Sequence, residues 1–174
     1  MRLVREALHP LTGAERDYDP LMELIGDARF VMLGEATHGT HEFYSERARI
    51  TRRLIEEKGF DAVVLEADWT DVNRVNRYIH GERKDTVAEK ALSDFDRFPR
   101  WMWRNAEFRD FVDSLKTINA RPDNTRRVSI YGMDLYGFSG SAKATIDYFK
   151  QTDTDALRRV SRRYGCFSRF REEP

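Results

Sequence analysis

Three short apolar runs, Phe30–Leu33, Ala62–Leu65 and Val128–Tyr131, each break off into a polar or glycine-rich turn, and this pattern most limits what the chain can become. Two of them are continuously apolar, which suits strands covered on both faces, as in a parallel sheet. Between and after them the apolar residues recur with helical spacing, predicting helices over about 41–58, 70–80, 101–119 and 140–151. Strand alternating with helix predicts an α/β fold with a mainly parallel central sheet flanked by helices.

At 174 residues and 40% hydrophobic content, the chain is long enough to bury a core, and residues 1–174 read as a single α/β domain. Thirty basic residues balance thirty acidic ones, so no global field draws the protein to nucleic acid or to an anionic membrane. No run of about 18 apolar residues is present, and the opening Met1–Pro10 lacks the apolar stretch of a secretory signal, which predicts a cytoplasmic protein. A single cysteine, Cys166, excludes an intrachain disulfide. Residues 81–99 are the least regular stretch and read either as a solvated connector or as a surface insertion that closes over a site. The aromatic residues of Tyr164–Phe170 call for a packing partner, so the expectation is that this is the N-terminal part of a longer catalytic domain.

Ligands of open parallel sheets bind beyond the carboxyl ends of the strands, and here each apolar run ends in acid. The first is followed by Gly34 and Glu35, the second by Glu66 and Asp68, and the third by Gly132 and Asp134. His38 lies three residues beyond Glu35 and precedes Gly39, which permits unusual backbone angles and close approach of a ligand. An imidazole oriented by a carboxylate can take a proton from water at neutral pH. A turn histidine satisfied by backbone groups is the plainer alternative.

Arg47 falls inside the apolar stripe Phe43, Ile50 and Leu54 of the helix predicted from 41, with Tyr44, Ala48 and Ile55 at its edge. Arg49, Arg52 and Arg53 fall on the opposite face, predicted to be solvated. A guanidinium on a core-facing surface needs carboxylates, for which Glu35 and Glu66 are the candidates, unless its head reaches the rim with only its stem buried. Trp101 and Trp103 open the helix predicted after Pro99; they belong to the core, or one of them lines a substrate cleft. His41, Trp101, Trp103 and Asp134 are the candidate substrate contacts. The segment Gly137–Ser141 approaches a nucleophile elbow but places Ser141 where the second glycine belongs, and it opens a helix. No H-E-x-x-H, P-loop or G-x-G-x-x-G pattern occurs.

Leu33–Phe43 with Arg47, then Val64–Trp69, Trp101–Asn105 and Tyr131–Tyr136, together resemble the erythromycin esterase family over about Leu21 to Phe170. The resemblance implies a mixed α/β fold with a central sheet and a deep cleft. It implies hydrolysis without metal or other cofactor, in which a histidine activates water and no serine is acylated. The matching positions are Glu35, His38, Arg47 and Glu66, the implied substrate is a small-molecule ester or a macrolide-like lactone, and additional histidines lie in a later portion of family members. Two other readings stay open on the residues. His38 with Glu35 and Glu66 is also a reasonable metal-ligand set, against which Arg47 competes, and a catalytically incomplete binding fragment would keep the same turn.

Overall fold

The structure is a computed structural model that describes residues 8–82, 85–123, 125–134 and 137–165, with Ser139 described in its backbone only. It divides into two compact units, Met1–Phe60 and Asp61–Pro174.

In the first unit a 3-10 turn, Glu15–Tyr18, runs into helix α1 (Asp19–Ile25), which carries Pro at its start where no N–H is needed. Helix α2 (His41–Lys58) has the bounds that its periodicity predicts. The core is Tyr18, Met22 and Leu54, joined by Leu21, Ile25, Val31, Leu33, Ile50 and Phe60.

Two expectations fail in this unit. Phe30–Leu33 is not a strand: Val31 and Leu33 turn onto the core, whereas Phe30 and Met32 are 89% and 97% exposed. The period-two alternation is present, but a strand exists only where a neighbouring backbone completes its ladder, and no second strand occurs in this unit among the described residues. The arginines opposite Arg47 are not all solvated either. Arg53 reaches Asp19 at 2.8 Å and also pairs with Glu57, and Arg49 pairs with Glu46, donates to the Ala14 carbonyl at 3.1 Å and lies over the Tyr18 ring. The segment 14–22 covers that face of α2, which helical phase alone does not reveal.

The second unit contains strand β1 (Ala62–Asp68) paired in parallel with strand β2 (Ser129–Asp134). Their register runs from Ala62 opposite Ser129 to Leu65 opposite Gly132, then shifts so that Asp68 opposes Asp134. Gly132 sits at that irregularity, and a Cβ there would lie 2.5 Å from the Ala67 carbonyl oxygen and 2.7 Å from the Asp68 carbonyl carbon. Only glycine admits the two backbones so close.

A parallel pair needs a crossover, and helices α3 (Trp69–Ile79), α4 (Ala88–Ala91) and α5 (Ala106–Asn119) form it. Val72, Val75, Tyr78 and Ile79 make one face of α3; Phe108, Phe111, Val112, Leu115 and Ile118 make one face of α5. With Val128 and Ile130 they form the core, each fully buried aliphatic side chain contributing about 1.5–3 kcal/mol. The expectation of strands covered on both faces is not met among the described residues, because Val64, Tyr131 and Met133 are 57%, 51% and 64% exposed.

Asn119 is buried at the end of α5, where its Nδ2 donates to the carbonyls of Ile79 and Val128 and its Oδ1 accepts the Val128 N–H. The entry into β2 is thereby tied to the end of α3. Residues 81–99 are more than a connector: Ala88, Ala91, Leu92 and Phe95 are buried, and Arg74 on α3 holds Asp85 through two 3.0 Å contacts and also pairs with Asp94.

The helix predicted from 101 begins later. Arg100–Met102 is a separate 3-10 turn, and α5 starts after Asn105, whose side chain accepts the Phe108 N–H at 2.8 Å. An asparagine that caps the first turn sets the boundary more strongly than the aromatic periodicity before it. Helix α6 (Phe138–Thr152) takes in Gly140 and Ser141, so the serine-bearing segment is a helix start and not an elbow. Helix α7 (Thr154–Tyr164), absent from the periodicity reading, is capped by Asp153, which accepts the N–H groups of Asp155 and Ala156. Cys166 and the aromatic tail 167–170 lie outside the described residues, as do Leu135 and Tyr136. No helix among the described residues is long and apolar enough to cross a membrane.

Candidate active site

In the first unit the chain leaves Leu33 through Gly34 and Glu35 and turns at Gly39, whose φ of 80° lies in the left-handed region. A side chain there would strain the backbone, so glycine is what lets the chain reverse between His38 and the start of α2 at His41. The bend at Ala36 and Thr37 brings His38 back onto the residue three positions before it. His38 Nδ1 hydrogen-bonds Glu35 Oε1, with the imidazole 42% exposed over a carboxylate that is 11% exposed.

Glu35 has a second charged neighbour. Arg47 Nη2 lies 2.7 Å from Oε2 of the same carboxylate. Oε2 accepts no aligned hydrogen bond among the described residues, so the contact is an ion pair whose N–H direction is poor. The distance is the better guide, because Coulomb attraction depends on separation far more than on angle. Arg47 is itself held from two sides, by the Phe43 carbonyl, which accepts its Nε–H at 3.3 Å, and by the Tyr44 ring, 5.0 Å from its Cζ. Its side chain is 25% exposed, against 20% for Arg53, so burial does not set Arg47 apart; its carboxylate partner does. His41 begins α2 and is exposed.

An ionised carboxylate can only accept, so the proton of the His38–Glu35 contact belongs on Nδ1. In that tautomer Nε2 carries the lone pair, and it has no protein partner among the described residues. This is the arrangement of a carboxylate-oriented general base.

The remaining candidates belong to the second unit, at the carboxyl ends of β1 and β2. Glu66 is exposed, and its backbone carbonyl accepts the Trp103 indole N–H at 3.2 Å. Trp103 packs against Phe108, with centroids 4.9 Å apart, and against Phe95 at 6.5 Å, whereas Trp101 is 49% exposed. The two tryptophans therefore part company: Trp103, half-buried, packs on the buried Phe95 and Phe108, and Trp101 stays at the surface. Asp68 Oδ1 accepts the Gly137 N–H at 2.7 Å, tying the end of β1 to the start of α6. The Asp134 carboxyl is pushed above the ordinary range by burial, reinforced by the charges of Glu66 and Asp68, and its Oδ2 is buried with no hydrogen-bond partner among the described residues.

Sequence reasoning missed Tyr44 as a neighbour of Arg47, although the i, i+3 spacing on one helix is a signal for it. It also missed Asp71, three residues after Asp68, whose carboxyl is pushed up to about 6 by burial and by the charges of Asp68 and Asp94. A cleft of about 880 Å3 in the first unit is lined by residues that include Asp19, Arg49, Arg53 and Glu57, and by none of Glu35, His38 or Arg47. Its charges largely pair with one another, Arg16 and Arg53 with Asp19, Arg53 with Glu57 and Arg52 with Glu56. No group of three or more His, Cys, Asp or Glu side chains among the described residues is arranged to hold a metal ion.

Residues 55–174 match the erythromycin esterase family. The chain belongs to that family. It is 28% identical over 145 residues to erythromycin esterase type II of Escherichia coli, a match that covers 81% of this chain and 32% of that one. It is 31% identical over 164 residues to YbfO of Bacillus subtilis (strain 168), which carries a provisional hydrolase name, covering 94% of this chain and 34% of that one. In structure it is similar to a succinoglycan biosynthesis protein with a TM-score of 0.74 and 28% identity, over 93% of this chain and 41% of that one. The chain thus spans about a third of the length of the curated relatives it matches. The family match begins at Ile55, downstream of the Gly34–Gly39 turn, whereas the similarity to YbfO, at 94% coverage, takes that turn in.

Proposed function

We propose that this chain supplies the water-activating pair of a hydrolase that cleaves carboxylic esters, macrolide lactones among them. The observation that carries the reading is the Glu35 carboxylate on Nδ1 of His38, which aims the lone pair of Nε2 outward from an exposed ring. The named activities of the relatives, an esterase and a hydrolase, fit this chemistry. Nε2 takes a proton from water as the oxygen attacks the ester carbonyl carbon. The carbonyl electrons move onto oxygen to give a tetrahedral oxyanion, the C–O bond to the alcohol breaks as they return, and the proton on Nε2 passes to the departing alkoxide. Glu35 supports the imidazolium that forms between the two transfers, and Arg47 keeps the Glu35 carboxylate from rotating away. In the same reading Glu66 is a carboxylate required for turnover, and His41, Trp101 and Asp134 contact substrate; Trp103, half-buried against Phe108, acts as support. The test is His38→Ala in the complete protein, assayed on a model ester and on a macrolide, with folding checked by circular dichroism. Turnover is expected to vanish while the fold persists; an unchanged rate overturns the proposal.

A further inference from the structure

The Glu35–His38 pair ends on Arg47, and what holds Arg47 decides whether the pair keeps its geometry. A guanidinium on a flexible stem, 25% exposed, has open water on one side and loses rotamer freedom when it stays at one carboxylate. Two fixed groups oppose that loss. One is the Phe43 carbonyl, 3.3 Å from Nε, which belongs to the backbone of α2. The other is the ring of Tyr44, with Cζ of Arg47 5.0 Å from its centroid. Tyr44 is 6% exposed, so its ring is locked by its surroundings and offers the cation a rigid face. With Nε bound to the carbonyl and the cation over the ring, Nη2 is delivered to Glu35 Oε2 at 2.7 Å.

We infer that Tyr44 is a positioning residue, whose ring face holds Arg47 on Glu35 and thereby keeps the Glu35 carboxylate on Nδ1 of His38. The consequence for turnover rests on the water-activation reading; the geometric part does not. Tyr44 touches neither water nor ester in this scheme, and its π face matters rather than its hydroxyl. Phenylalanine keeps that face, and methionine keeps the bulk without it. Tyr44→Phe should therefore behave as the parent, while Tyr44→Met lets the guanidinium leave and the carboxylate turn.

The experiment reads the pair directly. In the full chain, the Nδ1 proton of His38 held by a carboxylate gives a downfield imidazole resonance in proton NMR, assigned by its loss in His38→Ala. That resonance should persist in Tyr44→Phe and be lost or broadened in both Tyr44→Met and Arg47→Met. The resonance of the double variant Tyr44→Met/Arg47→Met should match that of Arg47→Met, because Tyr44 reaches the His38–Glu35 pair through Arg47. Backbone amide spectra report the fold, and a general packing role for Tyr44 would show instead as amide shifts spread through the first unit in Tyr44→Met with the His38 resonance retained. If Tyr44→Met fails to fold, Arg47→Met still decides: a retained resonance breaks the relay. A parent spectrum without the resonance, or a Tyr44→Met spectrum like the parent's, overturns the inference. In the complete protein, Tyr44→Met should lower kcat about tenfold at unchanged KM, with full recovery in Tyr44→Phe. Absence of hydrolysis in the parent would sink the proposed function and leave the NMR result to judge Tyr44 alone.

Discussion

Asn119 and Val128 bind each other through both ends of one amide: Nδ2 donates to the Val128 carbonyl at 2.9 Å and Oδ1 accepts the Val128 N–H at 2.8 Å. A third bond, 3.2 Å to the Ile79 carbonyl, fastens the end of α3 to the same side chain. Replacing Asn119 with Ala leaves these buried backbone groups without partners, which costs about 2–4 kcal/mol. The expected outcome is a clear drop in the urea midpoint, and a variant as stable as the parent would show that water replaces the amide.

Gly132 lies where the two strands lose register, with the Ala67 carbonyl oxygen at 2.5 Å from the position of an added Cβ. The obstruction is backbone and cannot rotate aside. Gly132→Ala should destabilise the second unit by about 1–3 kcal/mol, read as a lower denaturation midpoint at unchanged m-value. A neutral effect would contradict the close approach of the strands.

The raised Asp71 carboxyl gives a pH dependence of defined sign. Its folded value, about 6, exceeds the ordinary 3.8 because of burial first and then Asp68 and Asp94. The folded state therefore holds this proton more tightly than the unfolded state does. The stability this contributes is complete below 3.8 and is lost as pH rises to about 6. Asp71→Asn should flatten the dependence across that window and exceed the parent in stability above it, as measured by thermal melts at a series of pH values.

Arg74 joins α3 to the 81–99 segment through Asp85, which is 12% exposed, and Asp94. Arg74→Ala removes the guanidinium from the sheltered Asp85 carboxylate, costing about 1–3 kcal/mol. Hydrogen exchange should quicken in Ala88–Ala91 more than in α5. Uniform acceleration across the unit would instead mean that the clamp is global.

Glu35→Gln keeps the size of the side chain and removes the charge that orients and supports His38. In the complete protein kcat should fall about 10²–10⁴-fold with little change in KM. A fall confined to KM would assign Glu35 to substrate binding.

Much of this architecture was legible before the fold was known, and for local reasons. Helix α2 has the bounds its periodicity predicts, since one apolar face in eighteen residues is a property of the sequence itself. Glu35 and His38 meet because they are three residues apart in a turn with glycine at its end, which needs no distant contact. The family resemblance read from four separated motifs agrees with the match to residues 55–174.

What depended on distant residues was not legible. Phe30–Leu33 has strand composition, but its status turns on a partner backbone elsewhere, and none pairs with it among the described residues. Arg53 carries the phase of a solvated residue, yet Asp19, thirty-four positions earlier, comes to it at 2.8 Å. Trp101 and Trp103 are equivalent in composition, and only packing against Phe95 and Phe108 half-buries one and leaves the other exposed.

By itself, then, the sequence determined helix α2, the acids that follow each apolar run and the Glu35–His38 turn, because each depends on residues within a few helical turns of one another. Only the tertiary structure decided which arginine takes which carboxylate, that Tyr44 lies under Arg47, and that Gly132 is where two backbones nearly touch. Those outcomes follow from distance in space, on which ion pairing, ring contact and steric exclusion all depend, and spacing along the chain does not specify it.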